Sequence, residues 1–212
     1  MVLETGLQLS DRSDPVTESD RRVVVGVTGA SGSIYAARLL SHLRALGMAT
    51  HLVASSTAEQ VCRFEHHPLP GDVPVGTDGL PGSVVRHDDA NLFAPPSSGS
   101  FRHRGMVVVP CSAGTAGRIN AGTAETLLLR SADVCLKEGR PLILVLRETP
   151  LSRIHLRNLL ELSEAGARIV PASPGFYQHP ASFEDLADTV LARVLDLLGL
   201  DADISPRWTE NG

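Results

Sequence analysis

Three groups of residues in this 212-residue sequence have the types and spacing to do chemistry. The first is Gly26, Gly29 and Gly32 within VVVGVTGASGSIYAA, residues 23–37. A β-branched run breaks into closely spaced glycines and then into a helical pattern. This is the signature of a strand, a tight turn and a helix whose first N–H groups point outward, and such a turn favours a phosphate. A glycine triplet alone is a weak signal that a plain strand–helix turn also gives. The second group is Ser112, Ala113, Gly114 and Thr115, directly after the apolar run 105–109 and Pro110-Cys111. A Ser/Thr pair there can cap a helix or hold the polar edge of a ligand. The third is a set of charges with one phenol: Arg130, Lys137, Arg147, Glu148, Tyr177 and Arg193. Together they could converge on an anion, although each cation alone suits a surface ion pair. Of 19 basic residues 18 are arginine, so Lys137 marks the one place where a compact ammonium stands instead of a planar guanidinium.

The elements that must position these groups alternate between strand and helix. The run 23–27 reads as a strand, and 34–46 as a helix with Ala37, Leu40, Leu43 and Leu46 on its inner face and Gly47 closing it. A second strand, 50–54, ends at Ser55 and Ser56, where a dinucleotide-binding fold would carry an acid for the ribose, which argues against NAD. A short helix through Glu59 carries Cys62 and Glu65 and stops at His66-His67-Pro68. Residues 68–100 are rich in Pro, Gly, Asp and Ser, with a strand candidate at 83–86; a stretch this long suits a lid or a subunit contact. His51, His66, His67 and His87 lack the spacing of metal ligands and read as solvated loop residues, so no metal is assigned.

Beyond the second turn, 126–137 reads as a helix with Leu128, Leu129, Ala132 and Leu136 inward, and 141–146 as a buried strand that delivers Arg147 and Glu148 to its carboxyl end. In open α/β sheets that end faces the ligand. A helix over 151–165 with Ile154, Leu159 and Leu162 inward, a strand over 167–170, a loop with Phe176 and Tyr177, and a long helix capped by Ser182 complete the pattern. That last helix turns Leu186, Val190, Val194, Leu197 and Leu198 inward. The reading is an α/β, Rossmann-like three-layer sandwich with a mostly parallel sheet: a disordered leader over 1–20, one domain over 21–200 and a tail over 201–212.

Composition removes several function classes. A net charge of −5 gives no basic surface for nucleic acid or an anionic membrane. Three scattered cysteines, Cys62, Cys111 and Cys135, suggest neither a disulfide framework nor a zinc site and suit a reducing cytoplasm. No stretch has the length and apolarity of a signal peptide or membrane span.

The blocks GASGSIYAARLL, SSGSF at 97–101, PCSAGT, LLLRSADVCLKEGRPLILVLRETPL, PGFYQHP and RVLDLLG, in this order between Arg22 and Trp208, resemble the UbiX-like flavin prenyltransferases. The resemblance implies the fold of the homo-oligomeric flavin-containing cysteine decarboxylases. It also implies a metal-independent reaction in which N5 of reduced FMN attacks the allylic carbon of dimethylallyl phosphate and a second bond to C6 closes a ring. The product would serve a partner UbiD-like decarboxylase. Carried over by motif, Gly29, Ala30, Ser31, Ser55, Ser112, Ala113, Gly114, Thr115 and Arg147 match FMN contacts. Lys137, Tyr177, Arg193, Ser98 and Gly99 match prenyl phosphate contacts, with Arg130 near the same anion. Glu65 and Glu148 match carboxylates of proton handling, and Trp208 matches a tail residue that covers the site. A dodecamer with sites between subunits is implied as well. Gly114, Ser131, Gly139 and Gly175 depart from the family pattern, Gly114 beside the flavin most of all. The alternatives are an FMN-binding accessory subunit without turnover, and a peptidyl-cysteine decarboxylase of the same fold, whose histidine motif is not visible here.

Overall fold

The computed structural model describes residues 21–70, 81–177 and 179–206. Six strands form one parallel sheet: β1 (Arg22–Val27), β2 (Ala49–Ala54), β3 (Val84–Asp88), β4 (Met106–Cys111), β5 (Leu142–Leu146) and β6 (Arg168–Pro171). Their order is β3-β2-β1-β4-β5-β6, so the chain winds outward one way from β1 and then returns to begin again on its other side at β4. The connecting helices are α1 (Ser33–Ala45), α2 (Ser56–Phe64), α3 (Ala113–Asn120), α4 (Leu127–Lys137), α5 (Arg153–Glu164) and α6 (Phe183–Leu197).

Strand periodicity sorts the core into two layers. Val23, Val25 and Val27 face α1 and α6, packing on Leu39, Leu43, Leu191 and Leu195. Val24, Met106 and Val108 face α3, α4 and α5 through Ile119, Leu128 and Leu162. Each such side chain removed from water contributes about 1.5–3 kcal/mol before its ordering cost. Gly26 belongs to this packing and not to the turn after β1, since a Cβ there would lie 3.0 Å from Met106 Cε and 3.2 Å from Leu128 Cγ. The residue that turns the chain is Gly32, whose φ of 103° is the left-handed region only glycine enters cheaply.

Leu40, Leu43, Leu128, Leu129, Ala132, Val190, Val194 and Leu198 are buried as periodicity predicts, and other positions differ. Leu46 and Leu197 are exposed and Ala37, Leu136 and Leu186 only half-buried, while Leu39 and Leu191 take the inward positions. The helix expected from residue 151 begins at Arg153 behind the cap Ser152, and its Ile154 is 71% exposed. This helix carries apolar side chains on both sides, Leu162 inward and Ile154, Leu156 and Leu160 outward, so spacing alone does not select the buried one. The histidines also divide. His51 is fully buried in β2, its Nδ1 2.9 Å from His87 Nε2 and its ring edge-on to Phe101, so these two are not solvated loop residues.

Candidate active site

Where a sheet winds both ways from β1, a crevice opens beyond the carboxyl ends of β1 and β4. The two turns that border it are tied together. Thr28 Oγ1 donates to the Pro110 carbonyl at 2.7 Å and accepts from the Ser112 N–H at 3.0 Å. Ser112 then caps α3, its Oγ accepting from the Thr115 N–H at 3.2 Å and donating to Thr115 Oγ1 at 3.0 Å. One turn along, Arg118 sends Nη2 to the same Thr115 hydroxyl at 3.3 Å. Across the crevice Ser55 Oγ caps α2 by accepting from the Ala58 N–H at 3.1 Å. The starts of α2 and α3 therefore face one cleft of about 380 Å³, walled by Gly29, Thr57, Thr115 and Arg118. A Cβ on Gly29 would stand 2.5 Å from Thr57 Cγ2, so the bare backbone is what lets α2 close on the turn. With the capping hydroxyls occupied at their own helices, the cleft receives the first N–H groups of two helices and a guanidinium, a donor set for an anion. Asp89 also lines it, but its carboxylate and carbonyl accept from the Leu128 and Leu127 N–H groups at 2.8 and 2.7 Å.

The N-terminus of α1 already holds an anion of the protein's own. The N–H groups of Gly32 and Ser33 donate to the Glu65 carboxylate at 3.0 and 2.7 Å. The phosphate expected from the glycine run thus finds this terminus taken, and the open donors lie at α2 and α3. The reason is the turn after α2, which swings Glu65 over a helix whose cap, Gly32, has no side chain. Partial burial pushes the Glu65 carboxyl up, but the Ser31 and Ser33 hydroxyls and the two N–H groups outweigh it and bring its pKa down to about 2. Beside it a cavity of about 590 Å³ is bounded by Ser31, Tyr35, Glu65 and His67 and by apolar Pro174 and Phe183. Burial raises the Tyr35 hydroxyl and the Arg147 charge draws it partly back.

The candidate residues fall into two sets. Gly29, Ala30, Ser31, Ser55, Ser112, Ala113, Gly114 and Thr115 lie at the carboxyl edge, as do Arg147 and Glu148 just past β5, with the Arg147 N–H bonded to the Cys111 carbonyl at 2.9 Å. Lys137 does not. Its helix α4 starts against Asp89 at that edge and runs back about 15 Å to the opposite one. There Lys137 pairs with Glu138 at 2.9 Å, and a Cβ on Gly99 would stand 3.1 Å from its Nζ. Arg140, just before β5, binds the Gly99 and Phe101 carbonyls and so fixes the Ser98–Ser100 turn at this amino edge. Arg130 pairs with Asp133 on α4 and Arg193 with Asp196 on α6, each at 3.4 Å. Tyr177 is exposed in the loop after β6, and Trp208 lies outside the described residues. Sequence reasoning passed over Arg118, Thr57, Thr28 and Tyr35. Only Arg118 carried a legible signal, standing one helical turn beyond Thr115 of the Ser/Thr pair.

A family model described as Flavoprotein matches residues 11–195. The flavin prenyltransferase UbiX of Synechocystis is 46% identical over 195 residues, spanning 88% of this chain and 95% of that one. Among solved structures, AnUbiX (PadA1) in complex with FMN and dimethylallyl pyrophosphate superposes with a TM-score of 0.81 at 45% identity, covering 90% of this chain and 98% of that one. A dodecameric FMN-dependent UbiX-like decarboxylase from Escherichia coli O157:H7 does so with a TM-score of 0.79 at 43% identity, covering 89% and 99%. Similarity at this level along nearly the whole chain, on the same doubly wound sheet, places the protein in the Flavoprotein family, among the UbiX-like flavin prenyltransferases.

Proposed function

We propose that this protein transfers the dimethylallyl group of dimethylallyl phosphate to N5 and C6 of reduced FMN and passes the prenylated flavin to a UbiD-like decarboxylase in the cytoplasm. The observation that carries the reading is the donor set at the starts of α2 and α3, on a chain 45% identical to a protein solved with FMN and dimethylallyl pyrophosphate. The fit to FMN is chemical. Two helix starts and Arg118 suit a phosphate dianion, the hydroxyls of Thr57 and Thr115 suit a ribityl chain, and Gly114, where an added Cβ would meet nothing within 4 Å, leaves backbone open for close approach. The absence of an acid after β2 disfavours a dinucleotide.

Reduced FMN supplies the nucleophilic nitrogen and carbon when bound. The chain's residues bind the anions, orient them and exclude water. Arg147 and Glu148 stand at the carboxyl edge just past β5, and Glu65, held as a carboxylate beside the neighbouring cavity, carries a negative charge suited to an allylic cation. A departing phosphate needs fixed cations, and Lys137, Arg130 and Arg193 are proposed to supply them with Tyr177, Ser98 and Gly99. Because Lys137 lies at the far edge of its own sheet, a second copy is proposed to present it, in an assembly of the dodecameric kind. Among the described residues no helix is long and apolar enough to cross a membrane.

The test is anaerobic incubation of the protein with reduced FMN and either dimethylallyl monophosphate or diphosphate, read by mass spectrometry. One added C5H8 unit on FMN with the monophosphate is the expected result. Bound FMN that stays unmodified with both donors would replace this reading with that of an accessory flavin-binding subunit.

A further inference from the structure

Joining a five-carbon chain to N5 and C6 breaks the C–O bond to phosphate, turns the allylic double bond into a single bond and removes one proton from each flavin atom. One proton is added to the chain's middle carbon and the other departs with the phosphate, so the site must take up and return a proton. The carboxylate nearest the glycine turn, Glu65, is held by N–H groups of Gly32 and Ser33 and by the hydroxyls of Ser31 and Ser33. Ser33 is itself buried, and its Oγ lies 3.0 Å from Nδ1 of half-buried His67, which borders the same 590 Å³ cavity. Resting on the proposed function above, we infer that His67 is a positioning residue for this reaction, deciding whether the Ser33 hydroxyl gives its hydrogen to Glu65 or to the imidazole.

A hydroxyl has one hydrogen to give. When Nδ1 carries a proton it donates to Ser33, and the hydroxyl then donates to Glu65, which stays a fully bonded anion. When Nδ1 is bare the hydroxyl turns to the imidazole, and Glu65 loses one donor and becomes the better proton acceptor. His67 thereby sets the basicity of a group at the reaction centre without touching the reactants. The other ionisable groups around this chain of contacts are Glu184 from α6, Cys62 from α2, Tyr35 on α1 and Arg147 after β5. Among the described residues none of these four is a hydrogen-bond partner of Ser33 Oγ, so the switch belongs to His67.

The experiment follows kcat as a function of pH for the wild type, His67→Asn, His67→Phe and Ser33→Ala. Asparagine keeps a hydrogen-bonding group near the Nδ1 position but does not titrate. His67→Asn is expected to retain turnover within about threefold while losing one limb of the pH profile. His67→Phe should lower kcat about tenfold, as one lost hydrogen bond does, with KM for reduced FMN unchanged, and should have no added effect in Ser33→Ala. An unchanged profile in His67→Asn, or an undiminished effect of His67→Phe without Ser33, overturns the inference. A urea-unfolding double-mutant cycle between His67→Phe and Glu65→Gln needs no turnover. Coupling present with Ser33 and lost in Ser33→Ala is expected, and absence of coupling overturns the inference even if the wild type makes no prenylated flavin, a result that would refute the proposed function alone.

Discussion

Two residues make acid the weak side of this fold. Burial pushes the His103 imidazole down from 6.5 to about 4, while its Nδ1–H still donates to the Gly105 carbonyl at 3.1 Å. A group whose folded pKa is depressed contributes stability above its unfolded pKa and loses it as pH falls through the folded one. The His103 contribution, on the order of 3 kcal/mol, is therefore complete above pH 6.5 and disappears towards pH 4. Glu65, brought down from 4.5 to about 2, has the same sign in a lower window, weakened by solvent screening. Urea midpoints should accordingly fall between pH 7 and 4.5 in the wild type and stay nearly flat in His103→Asn, whose amide can still donate to Gly105. Glu65→Gln should cost about 1–2 kcal/mol at pH 7, the scale of a lost helix cap, and remove the decline below pH 4.5. A midpoint unaffected by Glu65→Gln would mean that the α1 N–H groups find other acceptors at no cost.

At the level of elements, the glycines separate packing from ligand approach. Gly29→Ala places a methyl 2.5 Å from Thr57 Cγ2 and must move the start of α2, so FMN affinity should drop about tenfold or more by fluorescence titration. Gly114 sits at the second position of α3, where an added methyl would find nothing within 4 Å. Gly114→Ala should instead stabilise the protein by up to about 1 kcal/mol, through helix propensity alone. The same contrast shows what could be read in advance. The inner strands were legible because buried parallel strands are continuous runs such as LILVL, with no second face to misassign, and the half-buried edge strands β3 and β6 only as short β-branched runs. Helix faces were legible only in part, because α5 is apolar on both sides and Leu46, on the face of Leu39, lies past the end of α1. Ser112 was legible as a cap-forming turn residue, whereas Glu65 capping α1 from another element has no local signature. The fold was thus written in short-range pattern, and the occupation of the glycine turn in a contact 33 residues long.

For the whole molecule, the separation of the two residue sets has a testable consequence. One edge of the sheet holds the anion cleft, the other holds Lys137 and the turn at Gly99, and α4 keeps them about 15 Å apart in any one copy. The surface also exposes large apolar side chains, among them Phe93 at 99%, Phe64 at 86% and Phe183 at 78%, more than a free-standing copy needs. If a site is made from the cleft of one copy and the Lys137 edge of another, two variants impaired at different edges can repair each other. Lys137→Ala should bind FMN normally but weaken dimethylallyl phosphate binding. Gly29→Ala should do the reverse in order of effect, losing FMN first. Refolded together in equal amounts, they should regain about a quarter of wild-type turnover, the chance that an intact cleft meets an intact lysine edge in a randomly mixed symmetric assembly. A site built wholly within one copy would give a mixture no more active than its components, and native mass spectrometry with one variant isotope-labelled would show whether the copies had exchanged.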